Sequence, residues 1–198
     1  MDQRGRWDEF YARNRRPWRG SGSLGPLRVE PGMRALDVGC GNGKTVSSLL
    51  REGAEATGLD FSAEAIESCR SLFGDRAEFV VADSSDMPFA DGSFDVVTAV
   101  HVFEHLRPEE AAATAAEIER VLAPGGTALV RSFAVGDSRS GGLGEGVRGN
   151  GIRYRYFTEE GLAGLFPGLE ALSVERIDET MRFGAVRVRI ECLLRAPG

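Results

Sequence analysis

An apolar strand that runs directly into alternating glycines most constrains how this chain can fold. Residues 35–38 are mainly apolar, and a helix-compatible segment, residues 45–52, begins soon after. Between them stand Gly39, Gly41 and Gly43. Glycine has no Cβ, so the turn can adopt positive φ and let a ligand approach the backbone. Because the first N–H groups of a helix lack intrahelical partners, we predict a strand, a ligand-binding turn and a helix start.

An acidic residue stands at the carboxyl end of this strand and of the next one. Asp37 precedes the glycine turn, where its carboxylate would favour a cationic group on the ligand. Residues 55–59 form a second short strand, and Asp60 follows it about twenty residues beyond the first glycine. Nucleotide-binding βαβ folds place there the acid that accepts hydrogen bonds from ribose hydroxyls. We therefore predict a nucleotide ribose at Asp60; a strand-end or N-cap aspartate is the alternative.

The composition restricts the partners and the compartment of the protein. A formal net charge of -6 and a pI near 5.1 argue against broad affinity for nucleic acids or membranes. No apolar run is long enough to span a bilayer, and the N-terminus lacks the apolar core of a signal peptide. Cys40, Cys69 and Cys192 show neither paired nor metal-binding spacing. We expect a cytoplasmic protein with reduced thiols and no metal site.

Strands and helices continue to alternate through the middle of the chain. Strands that are continuously apolar suit a parallel sheet covered on both faces. The pattern therefore predicts a doubly wound α/β domain. Its further predicted elements are strands at 77–82, 94–100 and 127–133 and a helix at 109–122.

The two ends of the chain are less regular. Aromatic residues at helical spacing predict a helix at 6–15, inside an N-terminal arm of residues 1–33 that precedes the main domain, residues 34–198. Residues 136–151 are rich in glycine and lack apolar periodicity, which predicts a long mobile loop. Thr158 then stands as the N-cap of a short helix. Two alternating segments near the C-terminus predict neighbouring antiparallel strands.

Together these segments resemble the class I S-adenosylmethionine-dependent methyltransferases of small-molecule type. The resemblance rests on the motifs LDVGCGNGK, GLDFS, VVADSSDMPF, FDVVTAVHVFEHL and VLAPGG and on the two closing strands. It implies a Rossmann-like, seven-stranded, mostly parallel sheet with an antiparallel last strand, and S-adenosylmethionine at the carboxyl ends of the first strands. N-terminal arms commonly serve as lids in this family, so it also implies a lid at residues 1–33. A packed helix, or a site for single-stranded nucleic acid, is the alternative for this arm.

The resemblance also implies a role for each position of the cofactor site. Asp37 and the glycine turn would surround the amino-acid end and the ribose, and Asp60 would hold the ribose hydroxyls. Phe61 would lie against the adenine, and Asp83 would meet its amino group. The implied cofactor-binding residues are Asp37, Gly39, Cys40, Gly41, Gly43, Asp60, Phe61, Asp83, Ser84, Met87 and His101. For Met87, a place in the ordinary core is an equal alternative.

One histidine is the candidate catalytic residue. His101 follows the fourth strand, where the family lines the junction between cofactor sulfur and substrate. Histidine titrates near neutral pH, so we predict that His101 deprotonates or positions the substrate. A structural role is the alternative for a lone histidine. For nearby Glu104 and His105, a helix cap or a core hydrogen bond is the better interpretation.

The predicted acceptor is a small molecule. The chain lacks an Asn/Asp-Pro-Pro-aromatic tetrapeptide after the fourth strand, which argues against the exocyclic amino groups of nucleic-acid bases. Arginines near the glycine-rich segment either clamp an anionic substrate or are solvated loop charges. They are Arg139, Arg148, Arg153 and Arg155. We expect neither a nucleic-acid nor a membrane partner, and a monomer or homodimer.

Two competing functions stay open on the sequence alone. An NAD(P)-dependent oxidoreductase on a Rossmann-like fold would share the glycine turn and Asp60, but Lys44 stands where its G-x-G-x-x-G fingerprint has the third glycine. A non-catalytic, cofactor-binding partner of another subunit would keep the whole pocket. Methyl transfer accounts for more of the chain, including Asp83 and the closing strands.

Overall fold

The computed structural model describes residues 3–14, 22–149, 151–181 and 184–198. Its strands are β1 Arg34–Val38, β2 Glu55–Asp60, β3 Glu78–Val81, β4 Phe94–Val100, β5 Leu122–Phe133, β6 Glu145–Val147, β7 Arg153–Arg155, β8 Glu170–Thr180 and β9 Val186–Arg195. Its α-helices are α1 Gln3–Arg13, α2 Lys44–Arg51, α3 Ala63–Phe73, α4 Pro108–Val121 and α5 Glu159–Ala163. All strands except β6 and β7 belong to one sheet.

The main sheet has the strand order β3-β2-β1-β4-β5-β9-β8. Strands β1 to β5 pair in parallel, while β9 is antiparallel to both β5 and β8. This confirms the predicted seven-stranded, mostly parallel sheet with an antiparallel last strand. The chain moves outward from β1 to β3 and then returns to β4 on the other side of β1. In open α/β sheets such a reversal leaves a crevice at the carboxyl ends of the strands, where ligands bind.

Apolar side chains cover both faces of the sheet, as its continuously apolar strands predict. One buried cluster joins Val97 of β4 to Leu36 of β1 and Ile118 of α4. The other joins Val96, on the opposite face of β4, to Ile66 of α3. Full burial of one such side chain contributes roughly 1.5–3 kcal/mol. The strand ends that carry the site are therefore held from both sides.

The segment between β5 and α5 differs from the predicted irregular loop. Within residues 136–151 a 3-10 turn forms at Ser138–Ser140, and β6 pairs with β7 in an antiparallel hairpin. The prediction of a long loop is therefore wrong for this part. Strands of three residues are too short to show an alternating pattern, so periodicity could not reveal the hairpin. The sequence pattern also misplaced the start of β5, which begins at Leu122 rather than at residue 127.

The N-terminal arm contains the predicted helix with earlier bounds. Helix α1 covers Gln3–Arg13 instead of residues 6–15, and Tyr11 is its buried residue. The last residue of the predicted helix, residue 15, lies outside the described part of the chain. No helix among the described residues is both long and apolar enough to cross a membrane.

Candidate active site

A cavity of about 830 Å³ opens at the carboxyl ends of β1, β2 and β4. One wall, here called the cofactor side, comes from β1 to β3 and includes the glycine turn, Asp37 and Asp60. The opposite wall, the acceptor side, comes from β5, the β6–β7 hairpin and β9. Helix α1 contributes Trp7 and Tyr11 to the lining. Of the predicted cofactor residues, only Gly43 and Met87 lie outside this lining.

Two of the three glycines are required by close approach in the turn. Gly39 and Gly41 have φ of 64° and 52°. A Cβ on Gly39 would lie 2.6 Å from Val102 Cγ2, and a Cβ on Gly41 would lie 2.5 Å from the Tyr11 hydroxyl oxygen. Gly43 has a different role, since a Cβ there would lie 2.4 Å from a ring carbon of Phe73 on α3. Gly39 and Gly41 therefore keep the cavity floor free of side chains, and Gly43 serves packing.

Asp60 is fixed by the backbone of the turn. Its Oδ2 accepts a hydrogen bond from the Gly41 N–H at 2.9 Å, and its Oδ1 accepts one from the Ser62 N–H at 2.9 Å. Burial raises the pKa of Asp60, although these N–H groups act in the opposite direction. Each carboxylate oxygen keeps acceptor capacity after its backbone bond. The group can therefore accept further hydrogen bonds from hydroxyls inside the cavity.

Asp37 is a buried carboxylate without a cation beside it among the described residues. It is 2% exposed and accepts a hydrogen bond from Thr98 Oγ1 at 2.8 Å. Burial raises its pKa to about 7, and the negative charge of Asp60 adds to the rise. A ligand cation placed here would favour the ionised form and thereby offset the cost of burying the charge.

The buried thiol in the turn is not set up as a nucleophile. Cys69 of α3 donates its Sγ hydrogen to the Gly41 carbonyl oxygen at 3.2 Å. A hydrogen bond with Cys69, together with burial, raises the pKa of the Cys40 thiol well above its ordinary value. Only the thiolate attacks or ligates readily, so Cys40 acts as an apolar part of the wall.

The N-terminal helix covers the residues to which the resemblance assigns the adenine. Phe61, Asp83 and Ser84 line the cavity together at the ends of β2 and β3. Arg4 of α1 forms an ion pair with Asp83, and its guanidinium lies 5.2 Å from the Phe61 ring centroid. Met87 packs instead in the apolar cluster of β4 and α4. This packing fits the core alternative for Met87, and its role in the cofactor site stays a prediction.

His101 occupies a strained position that is stabilised by its neighbours. Its φ is 62°, in the left-handed region that residues with a Cβ rarely adopt, and its N–H donates to the Arg131 carbonyl oxygen at 2.8 Å. Strain of this kind costs about 1–3 kcal/mol and often marks a functional residue. The ring stacks on Phe133 with centroids 4.3 Å apart. The imidazole therefore has a defined orientation beside the cavity.

A buried carboxylate positions this imidazole. Glu104 Oε1 lies 2.7 Å from His101 Nδ1, and Glu104 Oε2 accepts a hydrogen bond from Ser132 Oγ at 2.9 Å. The His101 side chain is 37% exposed while that of Glu104 is fully buried. Burial alone would raise the pKa of Glu104, but positive charge on His101 and the hydrogen bond between them lower it. With Nδ1 engaged, Nε2 is the ring nitrogen that can meet a substrate.

The second histidine has a structural role, as predicted. His105 packs edge-on against Trp7 of α1 and Tyr154 of β7, with centroids 5.0 Å and 4.6 Å away. Its Nδ1 lies 3.3 Å from the Arg153 carbonyl oxygen. Burial lowers its pKa, which keeps the imidazole neutral near pH 7. His105 therefore joins the helix to the hairpin.

The acceptor side is rich in arginine and aromatic residues. Phe133 and Tyr154 carry the aromatic surface. The arginines that line it are Arg131, Arg139, Arg148, Arg153, Arg187 and Arg189. The sequence did not point to Arg131, Arg187 and Arg189, because they come from β5 and β9 and only the sheet brings them together. Arg155, the remaining predicted arginine, lies outside the lining and stacks on Phe157 at 5.1 Å.

The residues present fit S-adenosylmethionine. A backbone floor that any Cβ would fill, a buried carboxylate for a cation and a second one for hydroxyls match an amino-acid end and a ribose. The Phe61 ring beside Asp83 matches a flat heterocycle with an amino group. The methyl donor would thus lie along the cofactor side.

Comparison with known proteins decides the family. The family model for a methyltransferase domain matches residues 36–130. The tRNA N(3)-methylcytidine methyltransferase Mettl2 of Drosophila melanogaster is 31% identical over 96% of this chain and 70% of its own length. The chain belongs to the class I S-adenosylmethionine-dependent methyltransferase family. The oxidoreductase alternative is thereby set aside.

Other methyltransferases match only in part. The demethylmenaquinone methyltransferase of Beutenbergia cavernae is 36% identical over 60% of this chain and 48% of its own length. This methyltransferase chain thus spans about half the length of such curated relatives. Burkholderia thailandensis 1,6-didemethyltoxoflavin-N1-methyltransferase, solved with 1,6-didemethyltoxoflavin and S-adenosylhomocysteine, superposes with a TM-score of 0.69 at 22% identity. That match covers 85% of this chain and 72% of the other. At this identity the likeness supports the fold.

Proposed function

We propose that this methyltransferase transfers the methyl group of S-adenosylmethionine to a small-molecule acceptor held beside His101. The observation that carries the proposal is the hydrogen-bonded series Ser132, Glu104, His101, which starts in the core and ends at the cavity. A buried carboxylate that is hydrogen-bonded to one imidazole nitrogen fixes the ring, so that the other nitrogen faces a substrate. His105, the second histidine of the chain, packs between Trp7 and Tyr154 and is not oriented in this way.

The role of His101 in this reaction is proton transfer. S-adenosylmethionine, when bound, supplies an electrophilic methyl group and needs only a nucleophile aligned with it. His101 Nε2 accepts the proton that the acceptor hydroxyl or N–H loses as the new bond to carbon forms. The resulting imidazolium faces Glu104 Oε1, which lies 2.7 Å from Nδ1 and stabilises the positive charge. Such proton transfer contributes typically 10²–10⁴-fold to rate.

The enclosure of the cavity supports a small acceptor. Helix α1 bridges both walls, since Arg4 contacts Asp83 on the cofactor side and the Gln3 amide donates to the His105 carbonyl oxygen at 2.5 Å. Gln3 also accepts a hydrogen bond from the Arg153 N–H at 3.2 Å. Residues 1–33 accordingly act as a lid over a domain formed by residues 34–198. A cytoplasmic monomer or homodimer without membrane contact remains our prediction.

Replacement of His101 tests this proposal. In His101→Gln, which keeps a polar side chain but cannot act as a base at neutral pH, we expect methyl transfer to a small-molecule extract to fall about 100-fold. The dissociation constant of S-adenosylhomocysteine is expected to stay unchanged. The measurement is transfer of labelled methyl groups, with calorimetry of the same sample as the control for folding. Unchanged transfer by the variant would exclude His101 as the base.

A base of tRNA is a second candidate acceptor. It is favoured by the similarity to tRNA N(3)-methylcytidine methyltransferase Mettl2, which extends over 96% of this chain, against 60% for the demethylmenaquinone enzyme. The test is incubation with total tRNA, digestion to nucleosides and mass spectrometry for 3-methylcytidine. Its formation, dependent on His101, would replace the small molecule by tRNA as the acceptor. Absence of transfer to either substrate, despite cofactor binding, would favour the non-catalytic partner.

A further inference from the structure

Two guanidinium groups, those of Arg139 and Arg148, lie over aromatic rings on the acceptor side, next to His101. From this arrangement we infer that the acceptor is a planar anion, whose carboxylate or phosphate is bound by Arg148 together with Arg139. The inference rests on the proposed function, because it assigns a chemical class to the acceptor whose proton His101 takes. The same chemistry is offered by a free aromatic acid and by a phosphorylated ring compound.

Arg148 is oriented by the hairpin rather than by an ion pair. Its Nε and Nη2 donate to the Tyr156 hydroxyl oxygen at 3.2 Å and 2.9 Å. Its guanidinium carbon lies 3.6 Å from the Tyr154 ring centroid and 4.9 Å from that of Phe133. Stacked arginines lose little freedom when they bind a carboxylate or phosphate, since the planar fork is already oriented. Arg148 is therefore prepared for an anion.

Arg139 approaches the same aromatic ring from a second segment. Its guanidinium carbon lies 4.1 Å from the Phe133 centroid, and its Nε donates to Asp137 Oδ1 at 2.7 Å. Asp137 is buried and also accepts the Val188 N–H at 3.0 Å. The carboxylate thus fixes Arg139 to β9 and neutralises it in part. Arg139 supplies the shape of the site, and Arg148 supplies the excess charge.

The charge balance of this wall is positive. Among the described residues, no carboxylate forms an ion pair with Arg148, Arg153 or Arg187. The carboxylates that face the wall already have partners, because Glu179 pairs with Arg189 and Glu104 with His101. In addition, Nε of Arg189 is buried without a hydrogen-bond partner in the described part of the chain. Arg148 and Arg153, which are half-buried in the cavity wall without a carboxylate partner in the ranges that the structure describes, attract an anion more strongly than solvated surface charges do.

The position of the anion follows from the shared ring. His101 stacks on Phe133 at 4.3 Å, and both arginines contact that same ring. A substrate whose nucleophile reaches His101 thus brings its far end towards the guanidinium groups that contact the same ring. The imidazole and the two guanidinium groups already cover the rings of Phe133 and Tyr154. A flat acceptor would therefore pack against the imidazole and guanidinium groups themselves, where stacking adds to the charge interaction. These contacts select a planar molecule with its negative group opposite the reacting atom.

Binding of matched small probes tests the inference. Benzoate, phenyl phosphate and neutral benzamide are titrated by ligand-observed NMR into protein saturated with S-adenosylhomocysteine, at low and high salt. We expect one of the anions to bind at least tenfold more tightly than benzamide, and high salt to reduce the difference. Which anion binds better distinguishes a carboxylate from a phosphate acceptor. Equal binding of all three probes, or no binding of either anion, overturns the inference.

Two variants locate the site. Arg148→Gln is expected to weaken the anion at least tenfold without changing benzamide, and Arg148→Lys to recover only part of the loss. Arg155→Gln is the matched control, since Arg155 stands on the neighbouring strand outside the cavity lining. An equal effect of Arg148→Gln and Arg155→Gln contradicts the proposed site. The affinity for S-adenosylhomocysteine reports whether each variant is folded. If the unmodified protein did not bind S-adenosylhomocysteine, that result would count against the proposed function and not against the anion site.

Discussion

The cofactor side and the acceptor side of the cavity are built in different ways. The cofactor side is formed by residues at the carboxyl ends of β1 and β2 or just beyond them, with Asp60 accepting a hydrogen bond from the N–H of Gly41. The acceptor side takes side chains from β5, the hairpin and β9, so that Phe133 meets Arg148 and Arg148 meets Tyr154. One side depends on backbone geometry and strand ends, the other on long side chains. We therefore expect changes on the cofactor side to act on binding of the adenosyl ligand, and changes on the acceptor side to act on transfer.

Removal of Asp60, the carboxylate assigned to the ribose, is expected to have the largest effect on binding of the adenosyl ligand. In Asp60→Ala, the two hydrogen bonds that the ribose hydroxyls would donate to the carboxylate are lost. At roughly 1.5–3 kcal/mol each, this corresponds to about 100-fold or more in affinity for S-adenosylhomocysteine. Calorimetric titration with S-adenosylhomocysteine measures it. The exposed Asp86 provides the control, because Asp86→Ala removes a carboxylate without touching the cavity. Equal affinities in the two variants would remove Asp60 from the site.

The pH dependence of binding is expected to come next in size. Asp37 has its pKa raised to about 7, so below pH 7 the free protein holds a proton there. The ligand ammonium group favours the ionised form, and affinity should therefore fall as pH drops below 7, by at most about tenfold per unit. Calorimetry at pH 6 in buffers of different ionisation enthalpy should detect proton release on binding. Asp37→Asn should abolish it; release that persists in this variant would assign the proton elsewhere.

The same carboxyl group predicts a trend in stability without ligand. Between the unfolded pKa of 3.8 and the folded value of about 7, the folded protein binds more protons than the unfolded chain. The contribution of Asp37 to the free energy of unfolding therefore decreases as pH rises through this window. In Asp37→Asn that contribution should disappear, as measured by urea unfolding at pH 5 and pH 8.

The smallest expected effect concerns the helix that joins the two sides. Arg4 contacts Asp83 and Phe61, the groups assigned to adenine, so Arg4→Ala should free them and tighten S-adenosylhomocysteine about threefold. Because the ion pair is half exposed, stability should change by less than about 1 kcal/mol. Arg13→Ala, which breaks an exposed pair with Glu9 on the same helix, is the control. Weaker binding in Arg4→Ala would mean that Arg4 contacts the ligand instead of competing with it.

The contrast between the two sides also explains what the sequence could reveal. Asp60 follows the glycine turn at a distance set by one strand–helix unit, so the spacing predicted its place and the structure brings it to Gly41. The fold was predictable for the same reason, since continuous apolar runs mark parallel strands such as Phe94–Val100. Those signals are local in the chain.

Other parts of the site have no local signal. Glu104 positions His101 together with Ser132, a residue from the next strand, and nothing in the sequence indicates that their side chains meet. The hairpin that presents Arg148 is held by backbone pairing of two three-residue strands and by the contact of Arg148 with the Tyr154 ring, and neither leaves a periodic apolar pattern in the sequence. For Met87 the motif left the cofactor site and the core equally open, and packing places its side chain in the core cluster. Contacts between distant segments therefore limit what motif and periodicity can predict.

The central claim, that one chain joins a cofactor site to a His101-dependent acceptor site for small molecules, is tested most directly by following a tritium-labelled methyl group. Purified protein is incubated with labelled S-adenosylmethionine, a small-molecule extract and total tRNA, with His101→Gln in parallel. We predict label in the small-molecule fraction, lost in the variant while S-adenosylhomocysteine still binds both proteins equally. Label confined to tRNA, or no transfer by protein that binds the cofactor, would contradict the claim.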